Sequence, residues 1–475
     1  MRVLVVCAVL AAGCGRIFYE RVGGDGAVAL DGSPADDSRG TGDRSPSIDV
    51  AADSSVQPDG TPSDGGSDAT TAGTVSEVLL GGSGAEEGKA ITAVAGGAVV
   101  IAGTTTSFGS TSTDVVVARI DTAGTIEWTT ILETTAADNV TDLVTLTDGD
   151  VLVVGSSMDA TGFATRLAKL RAIDGTLVWS TTLTGPRPEI VGGAALPGNA
   201  AMLVGNTNIG TDALVVSIEA LGVPQWSRSH GGGMSTNQMM DVASTSRGVV
   251  IVGAFGDQQW LIEIDPSGAA LASGTFQRPI NTVESVSVSA DDAIIVTGRS
   301  SFTVLDYYVG RLNGTSPWIF SFVHGMGVVG KIHQATPGGG AVLVNTRSRA
   351  PDREIHVHQL SAAGAVAWEG TYTTSPIYYI PAMAMTTDGR LVLLGTWLDA
   401  ASMNEIWLLS LDAGGLAEPT CLAPGPPLST LISRTPPSFD RAPVPPAPSA
   451  AVIWFGGGWT ARSVAASGLA FCGTG

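Results

Sequence analysis

Five histidines, three lysines and four cysteines bound the chemistry open to this 475-residue chain. His356 and His358 stand two apart in EIHVHQL, so on a strand both imidazoles fall on one side, the arrangement that lets a pair ligate one metal ion. No third ligand accompanies them, and the neighbouring Asp352, Arg353 and Glu354 mark a solvated outer strand, so no metal site is assigned. His230 in SRSHGGGMS and His324 in FVHGMGVVG occupy glycine-rich loops and are the candidate binding-loop residues, with a turn-filling role as the ordinary alternative. Lys89, Lys169 and Lys331 give a Schiff-base mechanism little material. Asp148 and Asp150 belong to TDGD, an Asp-Gly hairpin turn, and read as structural. GGSG (81–84) lacks the following lysine and helix that phosphate binding requires. No serine nucleophile elbow, paired-acid motif or zinc-spaced cysteine set occurs, so no catalytic residue and no cofactor is assigned.

The elements that would carry these residues repeat along the chain. A tryptophan follows a glycine by four residues in DTAGTIEW, AIDGTLVW, EALGVPQW, RLNGTSPW and SAAGAVAW, giving Trp128, Trp179, Trp226, Trp318 and Trp368. DPSGAALA and LDAGGLAE keep the glycine and put Ala272 and Glu418 in the tryptophan's place. Seven copies at a period of about 48 residues match one four-stranded propeller blade each. A second marker keeps the same phase: a β-branched run ending in Gly103, Gly155, Gly205, Gly253, Gly298, Asn345 or Gly395, residues tolerant of positive φ or close backbone approach. The first repeat offers strands at 89–94, 98–103, 114–120 and 125–132. The expected fold is all-β, a seven-bladed β-propeller of four-stranded blades over residues 75–420, behind a disordered N-terminal tether.

The same repeat register says how the ring should close. The seventh repeat's fourth-strand position reads LAEPTCLA, where Pro419 removes a donor, whereas TVSEVLLGG lies where a preceding copy's fourth strand would be. Residues 75–80 are therefore expected to complete blade seven. The proline-rich segment 421–475 is expected as a loop against the last blade, with its SGLAFC strand as the alternative closing element.

Charge and the two ends set the compartment. With 44 acidic and 24 basic residues the net charge is −20, which disfavours nucleic acid and anionic membranes as partners. Residues 15–74, rich in Asp, Ser, Gly and Pro, cannot bury enough apolar surface to order themselves and read as a flexible linker. MRVLVVCAVLAAGC resembles a bacterial lipoprotein signal, residues 1–14, with Leu10 one place earlier than that signal's usual leucine. The resemblance implies lipidation of Cys14 and an outer-membrane anchor, membrane contact being through the lipid alone; plain secretion is the alternative. Export then favours a disulfide between Cys421 and Cys472.

With its Gly-x-x-x-Trp strands, AIDGTLVW above all, the chain resembles propellers of the quinoprotein-like class. LGGSGAEEGKAITAV (80–94), with VVIAGTTTSFGSTSTDVVVARIDTAGTIEW (99–128) after it, is similar to a bacterial β-propeller repeat of secreted and surface proteins. The resemblance implies a tryptophan packed between blades as a structural residue. An enzymatic quinoprotein would add pyrroloquinoline quinone, calcium and adjacent cysteines, and no such cysteine pair occurs. The function expected is non-catalytic: an envelope binding or scaffolding lipoprotein whose faces contact a protein or glycan. A polysaccharide hydrolase or lyase, or a divergent quinoprotein enzyme at the central channel, is the alternative.

Overall fold

The repeat folds as four antiparallel strands because each copy supplies four short apolar runs separated by turns too tight for any other connection. Blade 1 comprises Glu86–Ala93, Val99–Thr105, Asp114–Ile120 and Ile126–Glu133, hydrogen-bonded in that order from the inside outward. Six further blades come after it, with inner strands Ala137–Thr145, Glu189–Leu196, Asn237–Thr245, Thr282–Val288, Val328–Ala335 and Ile377–Met385. The protein is a seven-bladed β-propeller of four-stranded antiparallel blades. This computed structural model describes residues 77–108, residues 112–412 apart from short loop segments, and six short strands between 423 and 470.

A blade's two faces are both covered, so its middle strands are near-continuous Val, Ile, Leu and Ala. Burial resolves into seven apolar clusters, one at each seam between neighbouring blades. The glycine marker ends the apolar run of each second strand for a steric reason. Opposite it the inner strand carries a β-bulge, as at Met239/Asp241 facing Gly253. A side chain on Gly253 would collide with the Gln238 carbonyl oxygen. Close backbone approach, rather than positive φ, is therefore what the marker requires. In blade 6 the bulge at Val329/Lys331 faces Asn345 instead.

The Gly-x-x-x-Trp motif works between repeats. Trp128 of blade 1 donates from Nε1 to the Ala172 carbonyl in blade 2's third-to-outer turn, and Trp179, Trp226 and Trp318 do likewise to Ala220, Pro266 and Ala362. The glycine of the receiving turn is what the indoles of Trp128, Trp179 and Trp226 lie against. Gly222 has φ 81°, and a β-carbon there would sit 2.7 Å from Trp179 Cε3. One residue type thus satisfies both the left-handed turn and the ring above it. Trp368 differs, donating to Gln359 within its own blade at 2.6 Å. Blade 7 brings no tryptophan to blade 1, and there Arg390 reaches the Thr122 and Gly97 carbonyls beside a crevice of about 20 Å³.

The ring closes through Glu77–Gly81, antiparallel to Asn404–Leu411 as the fourth strand of blade 7. The tail departs from the expected loop against the last blade. Its described strands lie on the outer edges of successive blades in reverse order: Ala423–Pro424 on blade 6, Leu431–Arg434 on 5, Phe439–Arg441 on 4, Ile453–Phe455 on 2, Thr460–Ser463 on 1 and Ser467–Ala470 on 7. Each outer strand is otherwise an open edge, and partner strands on six blades satisfy more backbone than one loop on a single blade. Ser467–Ala470 therefore adds outside Glu77–Gly81 and does not replace it.

Candidate functional site

The inner-strand bulges aim residues at the central axis. Asp142 in blade 2 and Asp241 in blade 4 occupy the same position, just after the bulge. Blade 3 has Gly192 there, between the two carboxylates: a β-carbon on Gly192 would lie in ordinary contact with both, 3.6 Å from Asp142 Oδ2 and 3.7 Å from Asp241 Oδ1. Each carboxylate also reaches the next blade. Asp142 Oδ2 accepts from the Gly193 amide and Oδ1 from Leu143; Asp241 Oδ2 accepts from Ser285 Oγ and the Val286 amide, and Oδ1 from Val242. Burial, aided by the charge of Asp241 and opposed by the two amides, pushes the Asp142 carboxyl up to about 7. A cavity of about 360 Å³ adjoins, lined by inner strands of blades 1, 4, 5, 6 and 7 with Asp241, Ser285 and Gln334 among its polar groups. Sequence reasoning passed over both aspartates. The signal was a carboxylate inside otherwise apolar or small-residue runs, VTDLVTL and MMDVAS, at one repeat phase.

His356 and His358 do share one side of a strand, Asp352–Leu360, but that strand is not solvated. His356 is 1% exposed and His358 2%, and Glu354 is buried with them. The strand is third in its blade, shielded by Val366–Thr374 and by the preceding blade, so sequence-adjacent charges misreport its exposure. His356 Nε2 lies 3.4 Å from Glu354 Oε2 and Nδ1 3.1 Å from Thr371 Oγ1, while His358 Nδ1 lies 3.6 Å from Glu369 Oε2. Among the described residues, no group of three or more His, Cys, Asp and Glu side chains is placed to hold a metal ion.

The five motif tryptophans stand at the blade edges, away from the axis. His230 ends the outer strand of blade 3, backbone-paired with Ala213. His324, Cys14, Cys421 and Cys472 lie outside the described residues. Asp148 and Asp150 hold the Lys169 ammonium inside the blade 2 hairpin, a structural use.

The turn face offers a different chemistry. Ile173 and Leu221, in the third-to-outer turns of blades 2 and 3, are 77% and 75% exposed, and Val178, Val223 and Leu271 join them at the starts of the adjoining outer strands. The other exposed large apolar side chains among the described residues, Met158 and Val366, lie apart from this group.

No family model and no curated protein matches the chain. Solved structures that resemble it include Sqt1 from Chaetomium thermophilum, at 13% identity and a TM-score of 0.40 over 70% of this chain and 96% of that one. The same protein bound to the N-terminus of ribosomal protein L10 gives 12% identity and 0.41 over 71% and 98%. Dihydro-heme d1 dehydrogenase NirN in complex with DHE gives 16% identity and 0.38 over 76% and 67%. Similarity at this level carries no argument about activity.

Proposed function

We propose that the chain is a non-catalytic binding or scaffolding module of the bacterial cell envelope, lipid-anchored through Cys14 and exposing a rigid propeller face to a protein partner. The observation that carries this reading is how the channel carboxylates are used. Asp142 and Asp241 each spend one oxygen on a backbone amide of the next blade and the other on the amide of the following residue in their own strand, whereas five large apolar side chains are left in solvent on the turn face. A surface of that kind marks an interface more often than an active site.

A hydrolase or lyase has one point in its favour, the pairing of a proton-retaining Asp142 with Asp241 around Gly192. The two readings separate in one experiment: cross-linking of the full-length protein in its native envelope, with the cross-linked peptides mapped by mass spectrometry. A reproducible protein joined to the turn face supports the binding module. Absence of any protein cross-link, together with glycan cleavage that Asp142→Asn and Asp241→Asn abolish, would replace it with the enzyme. Loss of membrane association in Cys14→Ala checks the anchor, and a soluble wild-type chain would point to plain secretion.

A further inference from the structure

Resting on the binding-module reading, we propose that the docking surface is the turn face of blades 2 to 4, and that it takes a basic apolar protein segment, one presenting aliphatic side chains among lysines or arginines. The apolar half of this statement comes from position. Ile173, Leu221 and Leu271 belong to three consecutive blades, and the indoles between them tie the turns into one strip: Trp179 bonds to Ala220 beside Leu221, and Trp226 to Pro266 in the turn before Leu271. The tips are also rigid. Asp265 accepts from the Ala269 amide and Ser267 Oγ, and Asp174 from the Thr176 amide, so little conformational freedom is lost when a partner lands. Exposed aliphatic tips repeated on neighbouring blades of a rigid frame are a poor face to leave in water.

The basic half comes from charge. The third-to-outer turns of blades 1 to 4 carry Asp121, Asp174, Glu219 and Asp265 against Arg171. Turn hydrogen bonds hold the Asp174 and Asp265 carboxyls below the usual carboxylate range, so both stay ionised. The nearby Arg228 guanidinium is already engaged, stacked over Trp226 at 5.1 Å and donating to the Ser267 and Gly268 carbonyls. Aliphatic tips ringed by net negative charge favour a partner of opposite sign and repel an acidic one.

The test uses the full-length chain and two labelled 14-residue amphipathic peptides, one of leucine and lysine and one of leucine and glutamate, with binding read by fluorescence anisotropy. The Leu/Lys peptide is expected to bind, and the double variant Ile173→Ser/Leu221→Ser to weaken it at least about tenfold. Met158→Ser, at the far end of its strand on the opposite face, is expected to leave binding unchanged, and matching melting curves confirm that the variants fold. Equal binding of the two peptides, equal binding by wild type and double variant, or a self-associated dimer that the double variant dissolves would each overturn the proposal. Cross-links reproducibly mapped to another face would remove this surface while leaving the binding-module reading in place; no protein cross-link at all would remove that reading itself.

Discussion

Blades 6 and 7 put different residues at the same two positions of the third strand, the positions that face the preceding blade. Blade 7 has Trp407 and Leu409, 0% and 1% exposed, packed with Val342, Val344, Ile355 and Val357 of blade 6. Blade 6 has His356 and His358, equally buried, set against Asn345, Thr371, Glu354 and Glu369. The apolar cluster at the blade 5/6 seam, around Ile295, Val309, Trp318 and Leu343, is the smallest of the seven among the described residues. Equal burial therefore does not mean equal adhesion. Apolar area removed from water stabilises at about 25 cal/mol per Å². Buried polar groups exchange hydrogen bonds to water for hydrogen bonds to protein and gain only about 1 kcal/mol each. One seam is glued by apolar area, and the other is held by looser polar contacts, 3.4 Å from His356 to Glu354 and 3.6 Å from His358 to Glu369.

The sharpest way to break this contrast is Trp407→Ala. It should cost about 3–5 kcal/mol, because the indole is fully enclosed and Gly395 across the sheet leaves nothing to collapse into the space. Chemical denaturation tracked by intrinsic fluorescence measures it. A loss under about 1 kcal/mol would mean that the apolar seam is not what holds the ring.

The second test moves to the inner ends of the seams, where Asp142 joins blade 2 to blade 3. Its folded-state carboxyl, pushed up to about 7 by burial, binds a proton more tightly than the unfolded chain does at the ordinary aspartate value of 3.8. The stabilisation from that proton is complete below the unfolded value and is lost as pH rises through about 7. Wild-type stability should fall between pH 5 and pH 8 by a contribution of roughly 2–4 kcal/mol from this group. Asp142→Asn gives up one accepted bond, about 1 kcal/mol at pH 5, but should flatten the fall. Parallel pH slopes in wild type and variant would assign the dependence to other groups.

How much of the fold and site was legible in sequence divides along the same line. Periodicity exposed the blades, because Gly-x-x-x-Trp is demanded by a contact that recurs between blades and the second glycine by one that recurs within them. The closing strand was readable too, since Pro419 disqualified one candidate and VLLGG supplied another, found at Glu77–Gly81. What single positions do was not. Asp352, Arg353 and Glu354 gave the histidine strand a solvated look, although neighbours distant in sequence bury it. Asp142 and Asp241 were hidden because the bulge that aims them is a property of strand pairing, visible only once two strands are in register. The tail strands were equally opaque: their pairing energy comes from backbone edges that exist only after the ring has formed.

The smallest expected effect is the most discriminating for the seams. His358→Leu places at the blade 5/6 seam the side chain that blade 7 has at Leu409, opposite Leu343. It discards a buried imidazole whose contact with Glu369 is a long 3.6 Å, and gains apolar burial, so the net change should stay within about 1 kcal/mol. Glu369, whose side chain keeps 31% of its surface in solvent, can turn outward once its partner is gone, which limits the cost of leaving it behind. Equilibrium denaturation of His358→Leu beside Leu409→His makes the exchange symmetrical, and the second variant should lose well over about 2 kcal/mol because it buries an imidazole among side chains that offer it nothing. Should both exchanges cost the same, the histidine seam would be a specified polar network in its own right, and the distinction between the apolar and the polar seam would fail.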